Sequence, residues 1–95
     1  MSRLSEIVME MPEMFSVEEA SEFREKIRGH IEDGFSSFVL DFGGCAFIDS
    51  TGLGVIVSSY KKCVENGGTI KLKAMNANVL KIFELTRLTH VFEIL

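Results

Sequence analysis

Residues 47–54 read Phe47-Ile48-Asp49-Ser50-Thr51-Gly52-Leu53-Gly54, and this stretch decides both the fold and the candidate site. It joins an apolar run, residues 38–42, to a helical pattern that starts near Thr51. Two hydroxyl side chains therefore stand at the start of a helix, behind a carboxylate and ahead of two glycines. Because no base, metal cluster or cofactor motif accompanies them, the pattern favours a serine that accepts a phosphate over a serine that performs catalysis.

The elements on either side of this stretch are predicted from hydrophobic spacing. The run 38–42 is apolar at nearly every position, which is typical of a parallel strand covered on both faces. The helix that follows carries an apolar stripe at helical spacing and ends at Asn66-Gly67-Gly68. Its stripe consists of Leu53, Ile56, Val57, Tyr60, Cys63 and Val64.

Before this unit, residues 4–10 predict a first strand, which Pro12 and Glu13 end. Ser16 and Glu19 have the spacing of a capping box at the start of a first helix, and Gly34 stands where a helix-ending glycine belongs. The apolar stripe of that helix is Val17, Ala20, Phe23, Ile27 and Ile31.

After the central helix, residues 69–74 alternate as a strand, with Ile70 and Leu72 on one face. Asn76 can cap a third helix, and residues 91–95 predict a short last strand. The stripe of the third helix is Val79, Ile82 and Phe83.

Strands that alternate with helices predict crossover connections. We therefore expect one α/β domain over residues 1–95, with a mainly parallel four-stranded sheet, all parallel or mixed, and three to four helices. In such sheets, functional residues gather beyond the carboxyl ends of the strands. Three loops should share that edge, which we call the rim: residues 11–15, 43–50 and 74–76.

Composition limits the classes of partner. The 95 residues carry a net charge of −4 with scattered Lys and Arg, which argues against nucleic acid. Cys45 and Cys63 have no CxxC spacing and no nearby histidine, so neither a metal site nor a redox pair is expected. Without a signal-peptide core or a membrane-length apolar run, we expect a cytoplasmic protein that does not contact a membrane.

Ser50 is the candidate modification site. The start of a helix offers unpaired N–H groups and the positive end of a dipole, which tolerate a phosphate of about −1.5 to −2 charges. Phosphorylation would leave the fold intact and place a dianion beside Asp49. Gly52 and Gly54 have no side chains to block a partner or a kinase. The alternative is that Ser50 or Thr51 only caps the helix.

With these residues in view, the chain resembles the STAS domain family, most closely the bacterial anti-sigma factor antagonists. The resemblance rests on residues 48–54, on the helix ending at Asn66-Gly67-Gly68, and on the strand and helix that follow. It covers about residues 16–95 and is most specific over 39–68. It implies the same α/β fold and a protein that regulates transcription by binding, without enzymatic activity of its own.

The resemblance also implies roles for individual residues. Ser50 matches the serine that an ATP-dependent anti-sigma factor kinase phosphorylates, and a serine phosphatase of the PP2C type reverses the modification. The unmodified antagonist binds the kinase and releases the sigma factor. Its recognition segment corresponds to Asp49, Thr51, Gly52, Leu53 and Gly54. ATP belongs to the kinase, so no cofactor is expected on this chain.

The chain departs from the family pattern at its start and after the third helix. There is room for about one strand before the first helix where family members usually have two, which leaves a sheet edge open for a homodimer. Glu13-Met14-Phe15-Ser16 replaces a turn that often carries an acidic contact for the kinase, and Thr86-Arg87-Leu88 stands where a glycine is frequent.

Three apolar residues fall in the first loop of the rim. Met14 is a candidate partner contact, because methionine adapts to varied surfaces. Met11 and Phe15 could join the same docking patch or cover the end of the sheet, and the second reading is favoured for Phe15.

Two other functions stay open at this point. The chain could be a STAS scaffold that does not switch, in a sensory complex or as a subunit of a lipid transporter, with Ser50 as a cap. It could also be a small enzyme with Cys45 or Ser50 as nucleophile, which is the weakest reading because His30 and His90 have no predictable place near either. The Asp41-Phe42-Gly43 triplet lacks the other kinase motifs.

Overall fold

Parallel strands alternate with helices in the computed structural model, which describes residues 6–95. The strands are β1 Glu6–Glu10, β2 Met14–Phe15, β3 Ser37–Asp41, β4 Phe47–Ile48, β5 Thr69–Lys73 and β6 Glu93–Ile94. The helices are α1 Val17–Glu32, α2 Ser50–Glu65 and α3 Ala77–Leu85, followed by a short 3-10 helix, Leu88–His90. Of the predicted first strand, positions 4 and 5 lie outside the described residues.

The main sheet has four strands in the order β1-β3-β5-β6, and every neighbouring pair is parallel. The α/β class, the four-stranded parallel sheet and the three helices are therefore confirmed. Because consecutive parallel strands need crossover connections, α1 and α2 each carry the chain back to the start of the next strand. All four carboxyl ends consequently lie along one edge, as predicted for the rim.

One face of the sheet holds the core. Phe38, Leu40, Ile70 and Leu72 are fully buried there, beneath the packed pair α1 and α2. The opposite face carries Val8, which is 55% exposed, together with charged residues of β1, β5 and β6. The middle of β3 is nevertheless covered on both faces, as predicted, because Phe38, Val39 and Leu40 are buried in succession. Its outward residue Val39 is buried on a face that its neighbours leave largely open.

A second parallel sheet, of two strands, was missed by the sequence reasoning. Met14 pairs with Phe47, and Phe15 pairs with Ile48. Residues 11–15 and 43–50 were predicted as loops because two-residue strands are too short to show an alternating pattern. The described chain consequently has two strands before α1, where room for about one was expected.

The ends of α1 follow the sequence prediction in position but not in bonding. Ser16 is the N-cap, yet its side chain caps no backbone N–H. The Ser16 hydroxyl lies 3.2 Å from a carboxylate oxygen of Glu19, so the reciprocal capping box is not formed. Gly34 follows the helix with φ +101, the left-handed conformation that glycine adopts without strain.

Candidate functional site

Asp49 caps α2. Its carboxylate oxygen Oδ1 accepts the backbone N–H of Gly52 at 2.9 Å, and its backbone carbonyl accepts the N–H of Leu53 at 2.9 Å. The alternative in which Ser50 or Thr51 caps this helix was therefore wrong, since both belong to the helix itself. An aspartate binds the orphan N–H groups of a first turn well and adds a favourable charge at the positive end of the dipole.

Ser50 is the first residue of α2, and its side chain is exposed. Among residues 6–95, its hydroxyl makes no hydrogen bond with another protein group. Thr51 is equally exposed one position later. The site thus presents an unengaged hydroxyl at a helix end that a neighbouring carboxylate already stabilises. Helix capping therefore does not explain why a serine stands at position 50.

The two glycines of the segment differ in what surrounds them. A Cβ atom at Gly52 would lie 2.6 Å from ring atom Cδ2 of Phe15 and closer still to the Phe15 carbonyl oxygen. Gly54 has no atom within 4 Å of the same position. The interpretation that both glycines admit a partner therefore needs correction. Gly52 is buried, and its missing side chain makes room for Phe15 of β2.

The β2–β4 ladder places an apolar pair beside Asp49 and Ser50. Met14 is 54% exposed and its cross-strand neighbour Phe47 is 47% exposed. We call these two side chains the rim patch. Phe47 was missed by the sequence reasoning, because its pairing with Met14 depends on a strand too short to predict.

The other apolar residues of the first loop point inward. Phe15 is fully buried and Met11 is 5% exposed, so both cover the end of the sheet. Phe15 packs edge-on against Phe23 of α1, with ring centroids 5.4 Å apart. Met14 therefore contributes the exposed apolar side chain of this loop next to the site.

The three predicted loops do meet at the rim. The carbonyl of Glu13 accepts the N–H of Ala46 at 2.8 Å, which joins the first loop to the second. The side-chain amide of Asn76 donates to the carbonyl of Cys45 at 3.1 Å, which joins the third loop to the second. Asn76 also caps α3, because its Oδ1 accepts the N–H of Val79 at 2.8 Å. These bonds hold the second loop from both sides.

A shallow groove of about 450 Å³ runs from the site along α2. Leu53, Val57 and Leu88 give it an apolar lining, and Ser50 belongs to the same lining. Lys61 adds a positive charge three turns along the helix from Ser50. Leu53, the predicted partner contact, is half-buried and partly packed against the core. An apolar side chain of a partner could therefore reach it through this groove.

The cysteines and His30 do not join this site. Cys45 is 2% exposed, burial raises the pKa of its thiol, and its Sγ donates to the carbonyl of Phe47 at 3.4 Å. Burial raises the pKa of the Cys63 thiol to about 11. His30 packs against Phe35 and against Phe38, which lies near the amino end of β3. These positions therefore do not provide a reactive thiolate paired with a histidine.

No helix within residues 6–95 is long and apolar enough to cross a membrane.

Known proteins share this sequence pattern and this architecture. The model of the STAS domain family matches residues 3–95. The anti-sigma-B factor antagonist of Bacillus subtilis (strain 168) is 35% identical over 49 residues, which make up 52% of this chain and 45% of that protein. The chain thus matches less than half the length of this curated relative.

Two solved structures extend the comparison to the fold. The crystal structure of a candidate anti-sigma factor antagonist from Thermotoga maritima has a TM-score of 0.83 at 29% identity, over 92% of this chain and 77% of that one. The Bacillus cell fate determinant SpoIIAA in its phosphorylated form has a TM-score of 0.78 at 19% identity, over 100% and 86% of the two chains. The second likeness shows the fold alone. Since the family model spans nearly all of the sequence and the architecture is shared, the chain belongs to the STAS domain family.

Proposed function

We propose that this chain is an anti-sigma factor antagonist whose binding to an anti-sigma factor is controlled by phosphorylation of Ser50. The observation that carries the proposal is the exposed Ser50 hydroxyl at the start of α2, which Asp49 leaves free by capping the helix itself. The similarity to proteins named as anti-sigma factor antagonists supports an anti-sigma factor as the partner.

The electrostatics of the site explain why a phosphate would act on binding and not on folding. The Asp49 carboxylate already contributes one negative charge at this helix end. A phosphate on Ser50 adds about −1.5 to −2 more, while the helix end offsets it by only about 0.3–1 kcal/mol. The surface would therefore change from singly to nearly triply negative while α2 stays folded.

The unmodified surface suits a partner with apolar contacts. The rim patch of Met14 and Phe47 lies on one side of the modified end of α2, and the groove along Leu53 lies on the helix itself. A dianion between them would have to be desolvated on docking, which is costly unless the partner offers a cation. Thr51 and Gly54 are exposed in the same turn of α2. Thr51 would contact the partner through its side chain, and Gly54 would contact it through its backbone.

In this proposal the partner supplies the chemistry. An anti-sigma factor with serine kinase activity would bind ATP and transfer its γ-phosphoryl group to Ser50, with ADP leaving. A PP2C-type phosphatase would hydrolyse the phosphoserine and restore binding. The chain would act in the cytoplasm as a regulator of transcription and would itself need neither cofactor nor metal.

An affinity capture from native lysate tests the proposal. Wild-type, Ser50→Ala and Ser50→Asp chains serve as baits, with Ser21→Asp, an exposed position of α1, as a charge-matched control. We expect an ATP-binding anti-sigma factor on wild type, Ser50→Ala and Ser21→Asp, and its loss on Ser50→Asp. If all four baits capture the same proteins, Ser50 is not a switch and the scaffold function replaces it.

A further inference from the structure

The outer edge of β1 is unpaired within the described part of the chain. β1 is the first strand in the order β1-β3-β5-β6, so one side of its backbone faces β3 and the other faces outward. The Met11 N–H donates to the carbonyl of Asp41, which shows that this residue bonds inward. Because strand residues alternate, Ile7 and Met9 also bond to β3. The N–H and C=O groups of Val8 and Glu10 therefore point to the open edge.

A groove runs along this edge, between β1 and the side of α1. Its volume is about 430 Å³, and it is lined by Ile7 and Met9 of the strand and by Phe23 of the helix. Glu19, Glu22, Lys26 and His30 form its α1 wall. A strand added to β1 would place every second side chain in this groove, against apolar surface. Its remaining side chains would lie beside Val8 on the open face of the sheet.

The charges on β1 decide what kind of strand fits. Glu6 and Glu10 flank the exposed Val8 on the open face. In a pair formed by two copies of β1, running antiparallel about Val8, Glu6 of each copy would stand opposite Glu10 of the other. Like charges directly opposite each other destabilise strand pairing. This edge is therefore protected against self-association, and a homodimer through it is disfavoured.

We propose that the outer edge of β1 binds an extended segment of another protein with the pattern basic-apolar-apolar-apolar-basic. The two basic residues pair with Glu6 and Glu10, the central residue lies beside Val8, and the other two enter the groove. The pattern is the same in both directions, so it fits parallel or antiparallel addition. Glu6 already lies 3.4 Å from Lys71 of β5, so Glu10 contributes more to the selection.

Synthetic peptides test this proposal by nuclear magnetic resonance. The probes are the capped peptide Lys-Val-Val-Val-Lys and its acidic counterpart Glu-Val-Val-Val-Glu, titrated into the 15N-labelled chain. We expect the basic peptide to bind at least about fivefold more tightly, from the cross-strand charge pairs. It should slow amide exchange at Val8 and Glu10 while the inward-facing amides of Ile7 and Met9 change little. Equal binding of both peptides, or shifts confined to other elements, would overturn the proposal.

Two variants of the same position separate backbone pairing from side-chain effects. Val8→Pro removes an outward N–H without removing a bond to β3, whereas Val8→Thr keeps the N–H and the branched side chain. We expect the proline variant to lose peptide binding and the threonine variant to retain most of it. If the proline variant binds as wild type does, the edge is not the site. Should it fail to fold, two peptides supply the same test on wild type: methylation of the central amide blocks antiparallel addition, and methylation of the fourth amide blocks parallel addition, so at least one of them should lose binding.

Charge reversal on the edge gives an independent result. In Glu10→Lys, position 10 of each copy faces Glu6 of the other, so the variant should dimerise at concentrations where wild type is monomeric by sedimentation. The same variant should bind the basic peptide less tightly, by about two- to fivefold. A wild-type chain that already dimerises through β1 would contradict the proposal. Ser50→Asp should leave peptide binding unchanged, which separates this edge from the rim.

Discussion

The paired substitutions Gly52→Ala and Gly54→Ala test how α2 is held against β2. Both glycines lie in the first turns of the same helix, and each gains about 0.5–1 kcal/mol of helix stability on replacement by alanine. At Gly54 nothing opposes this gain, because no atom lies within 4 Å of the added Cβ. We therefore expect Gly54→Ala to raise the free energy of unfolding by about 0.5–1 kcal/mol.

At Gly52 the added methyl group meets Phe15. The ring atom Cδ2 would be 2.6 Å away, so a neighbour must move by roughly an ångström to restore an ordinary contact of about 3.5 Å. The ring is fully buried against Phe23, and the Phe15 carbonyl accepts the N–H of Asp49 at 3.3 Å. Neither the Phe15 ring nor its carbonyl group can move away freely. Overpacking of this kind costs about 1–3 kcal/mol.

Because the helix gain is common to both variants, their difference in stability isolates the overpacking cost. We expect Gly52→Ala to be less stable than Gly54→Ala by about 1–3 kcal/mol, measured by urea unfolding followed by circular dichroism. With an m-value of about 1–2 kcal/mol/M, the midpoints should differ by roughly 1 M or more. Midpoints that agree within error would show that Gly52 does not fix the position of α2, and the account of its burial would fail.

Three further predictions concern the caps and the core. Asp49→Ala should lower the free energy of unfolding by about 0.5–2 kcal/mol, because the Gly52 N–H loses its acceptor, and Asp49→Asn should restore most of it in the same urea experiment. Asn76→Ala loses both the α3 cap and the bond to the Cys45 carbonyl, so it should lower the free energy of unfolding by about 1–3 kcal/mol, and Asn76→Ser should recover only the part due to the cap; full recovery by Asn76→Ser would contradict the link between loops. Burial raises the pKa of the Cys63 thiol from 9.0 to about 11. As the pH rises, the thiol of the unfolded chain therefore loses its proton before the thiol of the folded chain does. Its contribution to stability is thus complete below pH 9 and lost as pH rises to about 11, by up to about 2 kcal/mol, and Cys63→Ala should fall less over that range.

Long periodic segments were the predictable part of this fold. The stripes of α1 and α2 and the alternation of β5 each extend over several turns or residues, so hydrophobic spacing alone located them. The rim followed from them, because parallel strands bring their carboxyl ends to one edge. The missed elements, β2 and β4, have two residues each and owe their pairing to the elements around them.

The sequence predicted where the site lies but not which hydrogen bonds form there. Placing the start of α2 near Thr51 left Ser50 and Thr51 as the candidate caps and overlooked Asp49. The structure assigns the cap to Asp49, because its carboxylate reaches the Gly52 N–H. Gly52 and Gly54 look equivalent in sequence, and only the approach of Phe15 separates them. Phe47 was missed because it belongs to β4, a strand of two residues that is too short to predict.

Phosphorylation at Ser50 is the central claim, and site mapping tests it most directly. The chain is isolated from its own cells, digested, and its phosphopeptides are located by mass spectrometry, with Ser50→Ala and Thr51→Ala variants expressed in parallel. The account predicts phosphate on Ser50 in wild type and in Thr51→Ala, and none on this segment in Ser50→Ala. Phosphate on Thr51 alone, or an unmodified segment in every growth condition in which the anti-sigma factor is free of the chain, would contradict it.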